Sequence, residues 1–190
     1  MILLYAVLIG LILGVLSGGR LAALGTVRIR LWQVALAGLL FQVALFSSPL
    51  AAAVGSFGPS LYVLSTTVVL MALITNLRHP GFSVIVLGAF LNLAVIVLNG
   101  GQMPASPEAL AVLTGAPSLP TSEFSNSVVA EPGTPLWFLG DIFVLPRPFP
   151  FANVFSIGDV LIGAGGALFI IRSMHLRTDR MEPRPTLARG

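Results

Sequence analysis

The chain has 190 residues, of which 56% are hydrophobic and 9% charged, with a formal net charge of +3. A soluble domain carries about a quarter charged residues, so the composition points to a polytopic membrane protein. With no cysteine, it excludes disulfides, thiol catalysis and thiolate metal sites; with only His79 and His175, no multi-histidine metal site is expected, nor any other metal or cofactor.

Taken in chain order, the apolar runs predict five spans at 2–17, 31–49, 59–77, 82–99 and 155–172, against the roughly 20 residues that cross a bilayer. The fold class expected is an all-α, five-span transmembrane helix bundle forming one polytopic domain over 1–190. The first run lacks a basic leader and a small-residue cleavage site, so it reads as a span and not a signal peptide. Trp32 opens the second run, where an interfacial anchor belongs. Gln42 lies inside span two, and Thr66, Thr67 and Thr75 inside span three. Asn92 lies midway along span four and Asn99 ends it, seven residues on.

All ten basic residues are arginine. If the spans alternate, nine of them fall on one face, in loop 18–30, at Arg78 and from Arg172 into the tail 173–190; Arg147 alone falls on the other. Basic residues near span ends stay cytoplasmic. The N-terminus is therefore expected outside, the C-terminus inside, and loop 100–154 outside a bacterial cytoplasmic membrane. The partners expected are the bilayer and either other membrane subunits or a lipid-linked substrate, with no nucleic acid.

The outer loop holds nine of the fourteen prolines. Within it "ASPEALAVLTG" predicts a short helix, with Ser106 as N-cap, Pro107 and Glu108 in the first turn, and Gly115 as the stop. Residues 116–135 show no periodicity, and "LWFLGDIFVL", 136–145, reads as a surface segment or a strand against the membrane. Phe143, Phe149 and Phe151 are suited to the interface.

Two Gly-Asp pairs bracket the segment that leads into span five: Gly140-Asp141 and Gly158-Asp159. "SIGD" fits a capping pattern, with Ser156 as N-cap and Asp159 three residues later. Ser156, Asp159, Gly163 and Gly166 form a small, polar stripe at helical spacing that predicts a close helix contact. An acid in a first turn is also favoured by the helix dipole, so a purely structural role stands beside a chemical one. The chemical role needs both aspartates: two carboxyls in one site cannot both ionise easily, and such a pair can activate water and polarise a carbonyl. Asp141 and Asp159 are the candidate catalytic pair, and Asn92, Asn99 and Ser156 the candidate binding residues.

"NGGQMP" (99–104), "FLGD" (138–141) and "VFSIGDVLI" (154–162) resemble the hallmarks of an uncharacterised bacterial integral-membrane family, a domain of unknown function. That resemblance implies a fold and a membrane location but no activity. The C-terminal half also resembles prolipoprotein signal peptidase (signal peptidase II), a membrane aspartyl protease. Phe155-Ser156-Ile157-Gly158-Asp159 stands in place of that family's Phe-Asn-x-Ala-Asp motif, and "GAFLNL" (88–93) in place of its Gly-Ala-x-Gly-Asn-Leu. The resemblance implies catalysis by Asp141 and Asp159 with Asn92 nearby. Ser156 and Leu91 depart from it, and the Asp-Arg pair that follows the family's asparagine is absent. The function expected is a structural or accessory membrane component, with an intramembrane aspartyl hydrolase or lipid-linked substrate binder as the alternative.

Overall fold

A computed structural model describes residues 2–46, 53–114 and 126–176. Gly115, Glu123 and the tail arginines from Arg177 onward lie outside the described residues. Seven helices are described: α1 (Ile2–Leu16), α2 (Leu21–Leu24), α3 (Trp32–Leu45), α4 (Gly58–Ile74), α5 (Phe82–Leu98), α6 (Pro107–Thr114) and α7 (Ile157–Met174). The five longer helices fall on the five apolar runs. Two segments are long and apolar enough to cross a membrane, Gly55–Ile74 and Ile157–Met174; Ile2–Leu16, Trp32–Leu45 and Phe82–Leu98 are shorter apolar helices.

The all-α expectation is corrected by four short strands, β1 (Met103–Ala105), β2 (Ser127–Val129), β3 (Phe143–Leu145) and β4 (Asn153–Phe155). β1 pairs in parallel with β2, and β3 pairs antiparallel with β4. The loop between α5 and α7 has too many prolines to form a long helix, but its backbone groups still need partners, and short ladders supply them. The helix read in "ASPEALAVLTG" forms as α6, where Ser106 Oγ accepts from the Ala109 N–H at 3.2 Å. The segment 136–145 becomes a 3-10 turn, Trp137–Leu139, followed by β3.

The helices pack in the order α1–α7–α5–α4–α3. The two ends of this order, α1 and α3, share no extensive packing. The tightest contacts are made through glycine. A Cβ on Gly165 of α7 would sit 2.6 Å from the Gly81 carbonyl oxygen and 2.8 Å from the Ile85 nitrogen. One turn pair further on, a Cβ on Gly158 would lie 2.7 Å from the Gly88 carbonyl oxygen. On the other side of α7, a Cβ on Gly10 of α1 would meet the Ala167 Cα at 2.9 Å. Such backbone-to-backbone approach lets small residues gain packing contacts that larger side chains would block. The stripe expected on α7 is corrected in part. Gly163 faces Ala6 of α1, Gly166 has nothing within 4 Å, and the α5 contact runs through Gly158 and Gly165 instead. Glycine frequency alone does not say which neighbour each face meets.

Candidate functional site

α7 begins at an abrupt turn from β4. Ser156 is extended (φ −97°, ψ 170°) and fully buried. Its hydroxyl accepts from the Asp159 N–H at 3.0 Å, while its own N–H donates to Asp159 Oδ2 at 3.2 Å. This reciprocal box satisfies two amides that a helix N-terminus otherwise leaves open. Asn92 closes the arrangement from α5. Its Nδ2 donates to Asp159 Oδ1 at 3.0 Å, and its Oδ1 accepts from the Ser156 hydroxyl at 2.8 Å. Gly158 is required here, because a Cβ at that position would overlap the Asn92 side chain.

The second aspartate is fixed through its backbone. The Asp141 N–H donates to the Pro104 carbonyl at 2.8 Å, and its carbonyl accepts from the Ser106 N–H at 3.0 Å. Asp141 thereby bridges Ala105 of β1 in parallel. Gly140 precedes it because the Pro104 carbonyl occupies the place of a Cβ. In both Gly-Asp pairs, the glycine lets a neighbouring backbone or amide come close and the acid takes a set position. Between the two, the β3–β4 hairpin reaches over to α1, where the Tyr5 hydroxyl donates to the Pro150 carbonyl at 2.9 Å.

Asp141 and Asp159 line one cavity of about 460 Å³. Its walls come from α1, α3, α4, α5 and α7 and are chiefly aliphatic, with Leu39, Val69 and Leu73 among them. No hydrogen bond joins the two carboxyls directly among the described residues. They nevertheless feel each other: burial, and then the charge of Asp159, push the Asp141 carboxyl up to about 7 from an ordinary 3.8.

A model for a family of unknown function, DUF5317, matches residues 26–171. The chain belongs to DUF5317. The match contains both aspartates, Asn92 and Ser156, and begins after α1 and α2. No curated protein and no solved structure matches the chain, so the signal-peptidase resemblance rests on the quoted motifs alone.

Within this DUF5317 chain, three of the five singled-out residues form one hydrogen-bonded unit: Asn92, Ser156 and Asp159. Asp141 lines the same cavity. Asn99 does not. It ends α5 and donates to the Val95 carbonyl at 2.8 Å and the Pro135 carbonyl at 3.0 Å, tying the helix to the loop. The cavity also holds Tyr62 and Asn126, which sequence reasoning did not single out. Tyr62 reads as one more apolar helix residue, and Asn126 lies in an aperiodic stretch. Gln42 and Thr66, marked as polar residues inside their spans, line the same cavity and bond each other at 3.2 Å. Among the described residues, no group of three or more histidine or acidic side chains is placed to hold a metal ion.

Proposed function

We propose that this chain is a five-span integral membrane protein that binds a lipid-linked ligand in its central cavity, with Asp141 and Asp159 meeting the ligand's polar end. The carrying observation is the cavity itself: two carboxyls at the end of a chiefly aliphatic chamber, on the side of the bundle where α1 and α3 are not packed together. A ligand with an acyl chain and an amide or amine head matches that division. The outward faces support a bilayer setting, since Leu8, Ile12, Leu40, Val43, Leu64 and Phe90 are all exposed, and apolar surface on that scale marks a membrane or partner contact. The orientation we infer follows the arginines, with the acid end outside.

The test is photolabelling in bilayers with a synthetic diacylated lipopeptide bearing a diazirine on one acyl chain. Label on cavity residues such as Leu39 and Val69, reduced in Asp141→Asn, supports the reading. Label confined to outward residues such as Leu40 and Val43 refutes it and leaves the accessory-component role. Because the chain has no cysteine, single cysteines at Glu131 and Arg28 report orientation cleanly. An impermeant thiol reagent on intact cells should reach the first and not the second.

A second reading, aspartyl hydrolysis, is favoured by the Asp141 carboxyl lying at about 7 beside a second acid, where a group can both hold and release a proton. Under it, Asp141→Asn and Asp159→Asn each abolish cleavage of a lipoprotein-like substrate with the fold intact. Unchanged cleavage would leave Asp159 its capping role alone.

A further inference from the structure

At the opposite end of the bundle from the aspartates, two loops are fastened together by one buried side chain. Asn76, 2% exposed, follows α4. Its Nδ2 donates to the Arg30 carbonyl at 2.9 Å, and its Oδ1 accepts from the Arg30 N–H at 2.8 Å, so the amide pairs with residue 30 as a strand backbone would. A third bond from Nδ2 returns to the Ala72 carbonyl at 2.9 Å. Beside this clamp, His79 Nε2 lies 3.2 Å from the Arg28 carbonyl. The loop before α3 and the turn after α4 are thereby held as one unit carrying Arg28, Arg30 and Arg78.

Among the described residues, no acid lies at this end of the bundle. The acidic side chains among the described residues are Glu108, Glu131, Asp141 and Asp159, all in the loop after α5 or the first turn of α7. Arg28 and Arg30 stand two residues apart on one clamped loop and Arg78 on the other, and an anion bound at this place would relieve the repulsion among like charges. An open depression of about 580 Å³ lies at this place, lined by Val27, Arg28, Ile29, Trp32 and Gln33. Its lining is amphipathic: a guanidinium and an amide beside Val27, Ile29 and an indole that is 51% exposed. A guanidinium suits a phosphate through paired N–H donors, and an exposed indole suits the headgroup level of a bilayer.

We propose that this depression receives the phosphate of an anionic phospholipid headgroup, with Arg28 as the contacting cation, Arg30 and Arg78 as the flanking charges, and Trp32 against the glycerol and upper acyl region. The site is separate from the aspartate cavity and rests on the membrane reading alone, not on what the cavity binds. A lipid held here would brace the clamped loops from the membrane side.

Trp32 is its own reporter, because Trp137 is the only other tryptophan. The full chain with Trp137→Phe is placed in vesicles of phosphatidylcholine containing a minor fraction of phosphatidylglycerol. Either the one lipid or the other carries brominated acyl chains. Quenching of Trp32 should be stronger with brominated phosphatidylglycerol than its bulk fraction allows. Arg28→Gln should reduce that preference about fivefold, the effect of one arginine at a charged membrane surface, while Arg28→Lys should keep most of it. Quenching in proportion to bulk composition would overturn the proposal. So would displacement by millimolar inorganic phosphate of the same Trp32 signal in phosphatidylcholine alone, which would assign the site to a free anion. No quenching by either lipid would overturn both this site and the membrane setting it rests on.

Discussion

Replacing Asp141 by asparagine should stabilise the protein at alkaline pH and do little at acidic pH. The folded chain holds this carboxyl at about 7, by burial first and by the charge of Asp159 second, against 3.8 for the free group. In the window between those two values the folded state keeps a proton that the unfolded state has released. The contribution of Asp141 to stability therefore falls as pH rises from about 4 to about 7 and is flat on either side. The full difference corresponds to a ceiling of about 4 kcal/mol, at 1.36 kcal/mol per pH unit. Asparagine is neutral throughout, so Asp141→Asn removes that penalty: near-equal stability at pH 4 and a gain approaching the ceiling at pH 8. Denaturant unfolding in mixed micelles, followed by tryptophan fluorescence, measures it, and infrared difference spectra of the carboxyl band give the titration directly. A variant minus wild-type difference that stays constant from pH 4 to pH 8 would refute the reasoning, since a constant offset reflects packing and not the carboxyl's proton.

Gly158→Ala should destabilise by about 1–3 kcal/mol, as inserted methyls in tight packing do, because the new Cβ meets Asn92 and the Gly88 carbonyl. Gly166→Ala, with nothing within 4 Å, should be neutral or raise stability by about 0.5–1 kcal/mol; equal losses at both positions in the same unfolding assay would contradict the assigned contacts. Asn92→Leu removes the bonds to Asp159 Oδ1 and the Ser156 hydroxyl and should lose roughly 1–2 kcal/mol, with a double-mutant cycle against Ser156→Ala showing strong coupling. His175 lies just past α7, its Nδ1 2.8 Å from the Ile171 carbonyl and its Nε2 3.1 Å from the Ser17 carbonyl. Only the protonated ring can donate to both, and these carbonyls raise its pKa. The protonated ring's contribution is complete at low pH and is lost as pH rises through the raised pKa, so His175→Ala should weaken the protein more at pH 5.5 than at pH 9; identical losses at both would remove the histidine from this role.

Much of this molecule can be read from its residues, and the gaps have physical causes. The apolar runs mark the five longer helices because length and hydropathy are local properties. The Ser156–Asp159 box was legible for the same reason, since a capping pattern lies within four residues. Asn92 was legible as a neighbour of the aspartates through the motif it sits in, but its two bonds, to Asp159 and to the Ser156 hydroxyl, depend on a helix contact that spacing does not define. The β1–β2 pairing was not legible: Pro104 stands opposite Val128 in strands of three residues, too short to show alternation. Nor was Asn76, which lies at the end of an apolar run and looks like an ordinary turn residue until Arg30 is brought against it. Gly158 and Gly165 were passed over for Gly163 and Gly166 because helical spacing defines faces but leaves the neighbour on each face open.

The glycine contacts divide the bundle by stiffness. α7 is gripped on one side by α5 through Gly81 and Gly88 and on the other by α1 through Gly10, with backbone against backbone. Side chains can change rotamer to accommodate a guest, but touching backbones cannot, so α1, α7 and α5 form a keel. α3 has α4 as its main neighbour and lacks a comparable grip on α1. α4 is met by backbone at its N-terminus, where a Cβ on Gly101 would lie 2.9 Å from the Pro59 Cα, so a change in the chamber's width is expected to fall first on α3 and the far end of α4. Asp159 and Asn92 lie on that keel, while Gln42 and Thr66 lie on α3 and α4 across from it. A bulky occupant would therefore change the distance between these two pairs long before it disturbed the aspartate's own hydrogen bonds.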